Sequence, residues 1–162
     1  MVPSVDEPLI GLADRAEIFD LRRAVLRPGL PPAASVYPEE GHPETFHLAA
    51  RDPHTGAVIG CATFFPQELD GGPAWRFRGM ATTAGRRGQG IGAAILRHGV
   101  AEVARRGGRL VWCNGRTSAG GFYERNGFAR RGAEFDVPPL GPHFVFVRSI
   151  PAAGPPAVTP GT

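Results

Sequence analysis

At 162 residues and 17.2 kDa, with 42% hydrophobic and 20% charged residues, the chain has material for one domain around one core. It holds no apolar run of the roughly 18 residues that a membrane helix needs, and Met1–Ile10 lacks the basic start of a secretion signal, so a cytoplasmic location is expected. Cys61 and Cys113 are too few for a disulfide scaffold or an all-cysteine zinc site, no metal is expected, and all 18 basic residues are arginine, which excludes a Walker phosphate loop and a Schiff-base lysine.

Asp14 is placed to cap a helix running to about Leu26, with Ile18, Leu21 and Val25 on one face. Arg27–Pro43 is dense in proline and reads as an irregular loop. Thr45–Arg51 and Ala57–Phe65 are strand-like and, joined by the turn residues Asp52–Gly56, predict a hairpin. Gly71-Gly72-Pro73 makes another turn. Trp75–Thr82 then alternates, with Trp75, Phe77 and Gly79 facing one side and Arg76, Arg78 and Met80 the other. Ile91–Arg105 predicts a helix whose stripe is Ile91, Ile95, Leu96, Val100 and Val103, ended by Gly107-Gly108. Arg109–Cys113 is a short buried strand. Ser118 can cap a further helix through Asn126, closed by Gly127. Phe128–Phe135 and His143–Arg148 are the last strands. The proline-rich Pro151–Thr162 is expected to be a disordered tail, leaving residues 1–150 as a single domain. The pattern predicts a mixed sheet with helices on its faces, an α/β (α+β) layer sandwich.

The net charge of +3 conceals an asymmetry. Residues 76–131 hold 12 arginines against Glu102 and Glu124, a local +10, and the remainder of the chain carries −7. An excess of this size suits an anionic partner: a phosphorylated cofactor, nucleic acid or an acidic membrane face. The arginines are interleaved with core elements rather than with a row of stacking aromatics, so neither nucleic acid nor membrane is the expected partner.

Most of the functional signal lies in the strand–turn–helix around Arg86–Gly92. Glycines at 88, 90 and 92 let successive amides point into one concavity, the helix start adds its partial positive charge, and Arg86 and Arg87 raise the field. In physical terms this is a pyrophosphate cradle. The dinucleotide fingerprint is formally met by Gly88, Gly90 and Ala93, but Val111-Trp112-Cys113 stands where its ribose-binding acid belongs. A purely structural turn is the plainer alternative.

Arg87-Gly88-Gln89-Gly90-Ile91-Gly92 resembles the R/Q-x-x-G-x-G/A signature of the GNAT acetyltransferase superfamily. A second block, Ser118-Ala119 followed by Phe122-Tyr123-Glu124-Arg125-Asn126-Gly127-Phe128, is similar to that family's A-x-x-F-Y-x-x-x-G-F segment. Gly132–Val147, with Gly141-Pro142-His143, looks like the ending of its small bacterial ElaA-like branch. The resemblance spans about residues 9–148. It implies a mainly antiparallel sheet splayed at strands four and five, acetyl-coenzyme A as cofactor, and direct acetyl transfer to an amine carried by a small molecule or a protein. A homodimer would be in keeping with relatives.

On the family's pattern, the cofactor is met by Met80, Ala81 and Thr82 through the backbone, by Arg86, Arg87, Gly88, Gln89, Gly90, Ile91 and Gly92 in the turn, and by Asn114, Phe122 and Tyr123. Tyr123 matches the motif tyrosine that protonates the leaving thiolate, since a phenol with a pKa near ~10 stays protonated at neutral pH. Arg116 and Arg125 are candidates for a phosphate or the substrate. The general base is open. Strand four begins Ala74-Trp75-Arg76 without a carboxylate, leaving Glu44, His47, Glu134, His143 or a water chain, with His143 favoured by the ElaA-like ending. Acids of the proline-rich loop (Glu39, Glu40 and Glu44) offer one way to attract a cationic amine. A domain that binds acyl-coenzyme A without catalysis is the other reading.

Overall fold

The computed structural model describes residues 7–152. Residues 153–162, most of the tail expected to be disordered, lie outside the described residues. The elements are β1 (Leu9–Ala13), α1 (Arg15–Leu26), β2 (Phe46–Arg51), β3 (Val58–Pro66), β4 (Trp75–Thr82), α2 (Ile91–Arg105), β5 (Leu110–Arg116), α3 (Gly120–Arg125), β6 (Ala129–Val137) and β7 (Gly141–Ser149). The seven strands form one sheet in the order β1-β2-β3-β4-β5-β7-β6. Every neighbouring pair is antiparallel except β4 and β5. The expected mixed, mainly antiparallel sheet flanked by helices is the observed architecture.

Each face is sealed by the helix whose apolar stripe was legible. α2 lays Ile91, Ile95, Leu96, Val100 and Val103 onto Phe46, Leu48, Phe64 and Phe77. Phe46 and Phe64 stack across the β2–β3 ladder with centroids 5.0 Å apart. α1 covers the other face, with Ile18 fully buried against Ala49, Cys61 and Ala81. Its start follows from Asp14 and Glu17: the Glu17 carboxylate accepts a 2.9 Å hydrogen bond from the Asp14 amide.

The elements depart from the sequence pattern in several places, and the last two strands, expected over Phe128–Phe135 and His143–Arg148, run over Ala129–Val137 and Gly141–Ser149. β1 was not anticipated; it is a five-residue edge strand paired along β2. Within the proline-dense loop, Pro32–Ser35 and Pro38–Gly41 are short 3-10 turns. Ser118 does not cap a helix: Thr117–Ala119 is a 3-10 turn and α3 starts at Gly120, with Ala119 in the capping position. β5 runs three residues beyond Cys113, because β7 offers Val145, Phe144 and His143 as partners for Asn114, Gly115 and Arg116.

Candidate active site

The site begins with a fault in the alternation of β4. Ala81 pairs with Cys61, but Arg78 pairs with Thr63, so β4 spends three steps where β3 spends two. The extra residue is accommodated at Gly79, whose φ is +68°. The expected facing of Gly79 and Met80 is thereby reversed. Met80 packs with Phe77 toward the α2 core, and Ala81 joins the α1 face. A side chain at Gly79 would also collide: its Cβ would stand 3.0 Å from Arg22 Nε and 3.0 Å from Tyr37 Cε2.

At the same level β4 leaves β5. Their parallel ladder consists of Trp75↔Val111 and Arg76↔Trp112, while β5 stays paired to β7 as far as Arg116↔His143. The divergence opens a cleft of about 670 Å³. Of the residues singled out in the sequence, Met80, Ala81, Thr82, Arg87, Asn114, Tyr123 and His143 line it, and Arg116 joins them.

Beyond the cleft's upper end lies the glycine turn. Gly88 and Gly90 adopt φ of +79° and +78°, a region open to glycine, and Gly90 is the residue before α2. The first-turn amides of α2 have no partner within the helix and face an electropositive end. Arg86 and Gln89 are committed to the turn itself: Arg86 Nε donates to Gln89 Oε1 at 2.8 Å, and Arg86 Nη1 meets Asp52 Oδ2 at 2.6 Å. Arg87 is the turn arginine that faces the cleft. Ile91 is core, so its contribution to a ligand is its backbone. Phe122 also packs inward, against Gly92 near Met80.

Tyr123 is held by its neighbours. Its ring stacks on Phe146 with centroids 4.6 Å apart and meets Phe122 edge-on at 5.3 Å. Gly115 leaves room for the ring, since a Cβ there would overlap it. Burial raises the phenol's pKa above its ordinary value, reinforced by its hydrogen-bonded neighbour Cys113. The group is therefore a neutral donor at physiological pH.

Among the four candidate bases, His143 lines the cleft and Glu44, His47 and Glu134 do not. Glu134 accepts from Thr117 Oγ1, and His47 faces Thr63 and Glu40. Burial lowers the His47 pKa. His143 is buried, and its Nδ1 lies 2.8 Å from the Gly141 carbonyl. A carbonyl only accepts, so Nδ1 carries a proton and Nε2 is the basic nitrogen of the neutral ring. Arg125 is exposed and is not a lining residue.

The loop between α1 and β2 supplies the opposite wall, which sequence reasoning missed. Tyr37, 7% exposed, has two guanidiniums over its ring, that of Arg22 at 4.3 Å and that of Arg78 at 4.1 Å from the centroid. Arg22 is fully buried and donates to Glu40 Oε1 (2.5 Å), Thr63 Oγ1 (2.6 Å) and the Ser35 carbonyl (2.9 Å). Burial pushes the Glu40 pKa up, but hydrogen bonds from Arg22 and the Tyr37 amide outweigh it and hold the carboxyl below its ordinary value. Glu39 meets Arg78 at 3.2 Å and Arg76 at 3.6 Å. Glu39 and Glu40 are thus engaged by arginines rather than presented to an incoming cation, and the third acid, Glu44, does not line the cleft. The local +10, which already counts Glu102 and Glu124, is partly neutralised from outside the segment by Glu39 with Arg76 and Arg78, Asp52 with Arg86, and Asp70 with Arg131.

A bulged strand parting from its parallel neighbour, with a glycine turn at the helix start beyond, defines an acyltransferase of the GNAT type. The sequence profile of the "Acetyltransferase (GNAT) domain" matches residues 42–130, and the chain belongs to that family of N-acetyltransferases. It is 33% identical over 137 residues, 83% of this chain and 91% of the other, to the uncharacterized N-acetyltransferase YitI of Bacillus subtilis (strain 168). Among solved structures it resembles a chain of the NatC complex bound to Gag peptide and CoA, with a TM-score of 0.73 at 19% identity over 90% of this chain and 99% of that one. It also resembles Escherichia coli ElaA, with a TM-score of 0.72 at 13% identity over 87% and 99%. At these identities the likeness is one of fold. Among the described residues no helix is long and apolar enough to cross a membrane, and no cluster of three metal-ligating side chains occurs.

Proposed function

We propose that the chain transfers an acetyl group from acetyl-coenzyme A directly to a primary amine. The observation that carries the reading is the opening between β4 and β5, which has the bulge at Gly79 on one side, Tyr123 on the other and the glycine turn beyond its mouth. Arg87 and the amides at the start of α2 would hold the cofactor's pyrophosphate. Met80, Ala81 and Thr82 would offer main-chain groups to the pantetheine and the thioester carbonyl, and Asn114 would face the same arm. Residues 1–150 would act as one domain.

The amine nitrogen attacks the thioester carbon, a C–N bond forms, and the C–S bond breaks. The nitrogen gives up a proton to His143 Nε2, and the sulfur receives one from the Tyr123 hydroxyl. The products are an amide and free coenzyme A, and solvent exchange restores both side chains.

Acetyl-coenzyme A at 100 times its dissociation constant should stabilise the fold by about 2.7 kcal/mol, read as a melting shift of several degrees. Thiol release with a panel of amines then tests transfer. No melting shift rejects the reading. A shift without turnover on any amine leaves a domain that binds the cofactor and does not catalyse.

A further inference from the structure

The walls of the cleft differ in charge from the one expected to attract a cationic amine. Five arginines line it (Arg27, Arg76, Arg78, Arg87 and Arg116), and no aspartate or glutamate does. Arg87 belongs to the glycine turn. The other four lie toward the α1 side. Strand alternation sets Arg76 and Arg78 of β4, and Asn114 and Arg116 of β5, opposite to Phe77, Cys113 and Phe146, which face the α2 core. Arg78 lies over Tyr37 of the α1–β2 loop, and Arg116 is paired in register with His143.

These charges are not balanced. Glu39, behind the wall, is one carboxylate shared by the Arg76 and Arg78 guanidiniums. Burial and the like charge of Arg78 lower the pKa of Arg76. Glu40 is bound to Arg22. Among the described residues Arg27 and Arg116 have no carboxylate partner, and Arg116 is exposed. Between these charges and the polar groups of Thr82, Asn114 and His143, Val25 and Leu26 from α1 and Val137 and Leu140 from the β6–β7 arm add an aliphatic portion to the lining.

Given the transfer proposed above, on which this step rests, we infer that the acceptor is a small amine that also bears a carboxylate, an amino-acid-like aminocarboxylate, whose carboxylate is met by Arg116. A guanidinium matches a carboxylate with two parallel hydrogen bonds. A diamine or lysine side chain would instead bring a second cation among four arginines and one carboxylate. The same field lowers the pKa of the substrate's ammonium and enlarges the neutral, nucleophilic fraction. That helps a site whose strand four lacks a basic carboxylate. The aliphatic side chains of Val25, Leu26, Val137 and Leu140 suit the body of such a molecule.

The test is calorimetric binding of L-leucine, β-alanine and 5-aminovalerate, each against its own carboxamide, to protein saturated with coenzyme A. Cadaverine and phosphoethanolamine are the contrasting probes. At least one carboxylate should bind about tenfold tighter than its carboxamide. Arg116→Gln, at an exposed position, should erase that difference. Glu39→Gln, which frees Arg78 from its shared partner, should enlarge it. Equal affinity for carboxylate and carboxamide, no binding of any carboxylate, or preference for cadaverine or phosphoethanolamine overturns the inference. Turnover of cadaverine with aminocarboxylates ignored overturns it while leaving acetyl transfer intact. Absence of a melting shift with acetyl-coenzyme A rejects the transfer reading, and the same titrations on the cofactor-free protein then decide the carboxylate.

Discussion

Asp52 Oδ2 lies 2.6 Å from Arg86 Nη1, so the turn between β2 and β3 is fastened by an ion pair to the glycine turn 34 residues further along the chain. Asp52 also accepts from the amides of His54 and Thr55, which fixes its own position. The contact bridges two turns, one of which is read as the pyrophosphate cradle. Asp52→Asn should weaken coenzyme A binding about three- to tenfold and leave kcat at saturating cofactor nearly unchanged. An equal loss in kcat would mean that Asp52 acts on the chemistry rather than on the turn.

The same residue makes a prediction about acid. The Arg86 hydrogen bond, then those of His54 and Thr55, hold the Asp52 pKa at about 2, below its ordinary value. A depressed carboxyl favours the folded arrangement in full above the ordinary value near ~4 and loses that contribution as pH falls through the folded value. Carbon-detected NMR should therefore find Asp52 still ionised at pH 3. A midpoint near 4 would show that the ion pair does not persist in solution.

Gly79→Ala tests the bulge. The left-handed φ costs a side chain about 1–2 kcal/mol, and the new Cβ would press on Arg22 and Tyr37 at 3.0 Å. Either the bulge flattens, turning Met80 away from the core, or the Arg22–Tyr37 stack shifts. Both should lower the melting temperature by several degrees and reduce acetyl transfer strongly. A variant with wild-type stability and turnover would dismiss the bulge as an organising feature.

How far this site was legible depended on whether its signal was local. The start of α2 could be read because Gly88, Gly90 and the Ile91–Val103 stripe lie within one stretch of chain, and the structure begins the helix at Ile91. Asn114-Gly115-Arg116 looks like a turn in isolation; only β7, some thirty residues on, makes it a strand. The bulge at Gly79 is invisible in β4 alone, whose residues alternate regularly, because it exists as a mismatch with β3. Tyr37 carried no signal, since its place depends on Arg22 and Arg78 arriving from two other elements. Asp52 was visible as turn chemistry, and its partner Arg86 was not.

Tyr123→Phe separates proton donation from packing. The ring's contacts with Phe146, Phe122 and Phe128 do not require the hydroxyl, so the fold and acetyl-coenzyme A affinity should be retained. Turnover should fall about 100-fold or more. Because burial raises the phenol's pKa, loss of its proton should not limit the wild-type rate until pH exceeds the ordinary tyrosine range. An alkaline fall in kcat centred below pH 9 that disappears in Tyr123→Phe would contradict that assignment, as would unchanged turnover in the variant.

Both cysteines should be unreactive while the protein is folded. Burial pushes Cys61 up to about 11 and Cys113 up to about 12, and the thiolate is the reactive form. At pH 8 the ionised fraction is about one part in a thousand or less. Maleimide labelling followed by mass spectrometry should find neither residue modified in native protein over an hour and both modified in guanidinium. Cys113 adjoins the cleft and touches the Tyr123 hydroxyl, so any slow native labelling there should be suppressed further by coenzyme A. Fast labelling of Cys113, undiminished by the cofactor, would mean that the floor of the cleft opens in solution and that Tyr123 is not held against it.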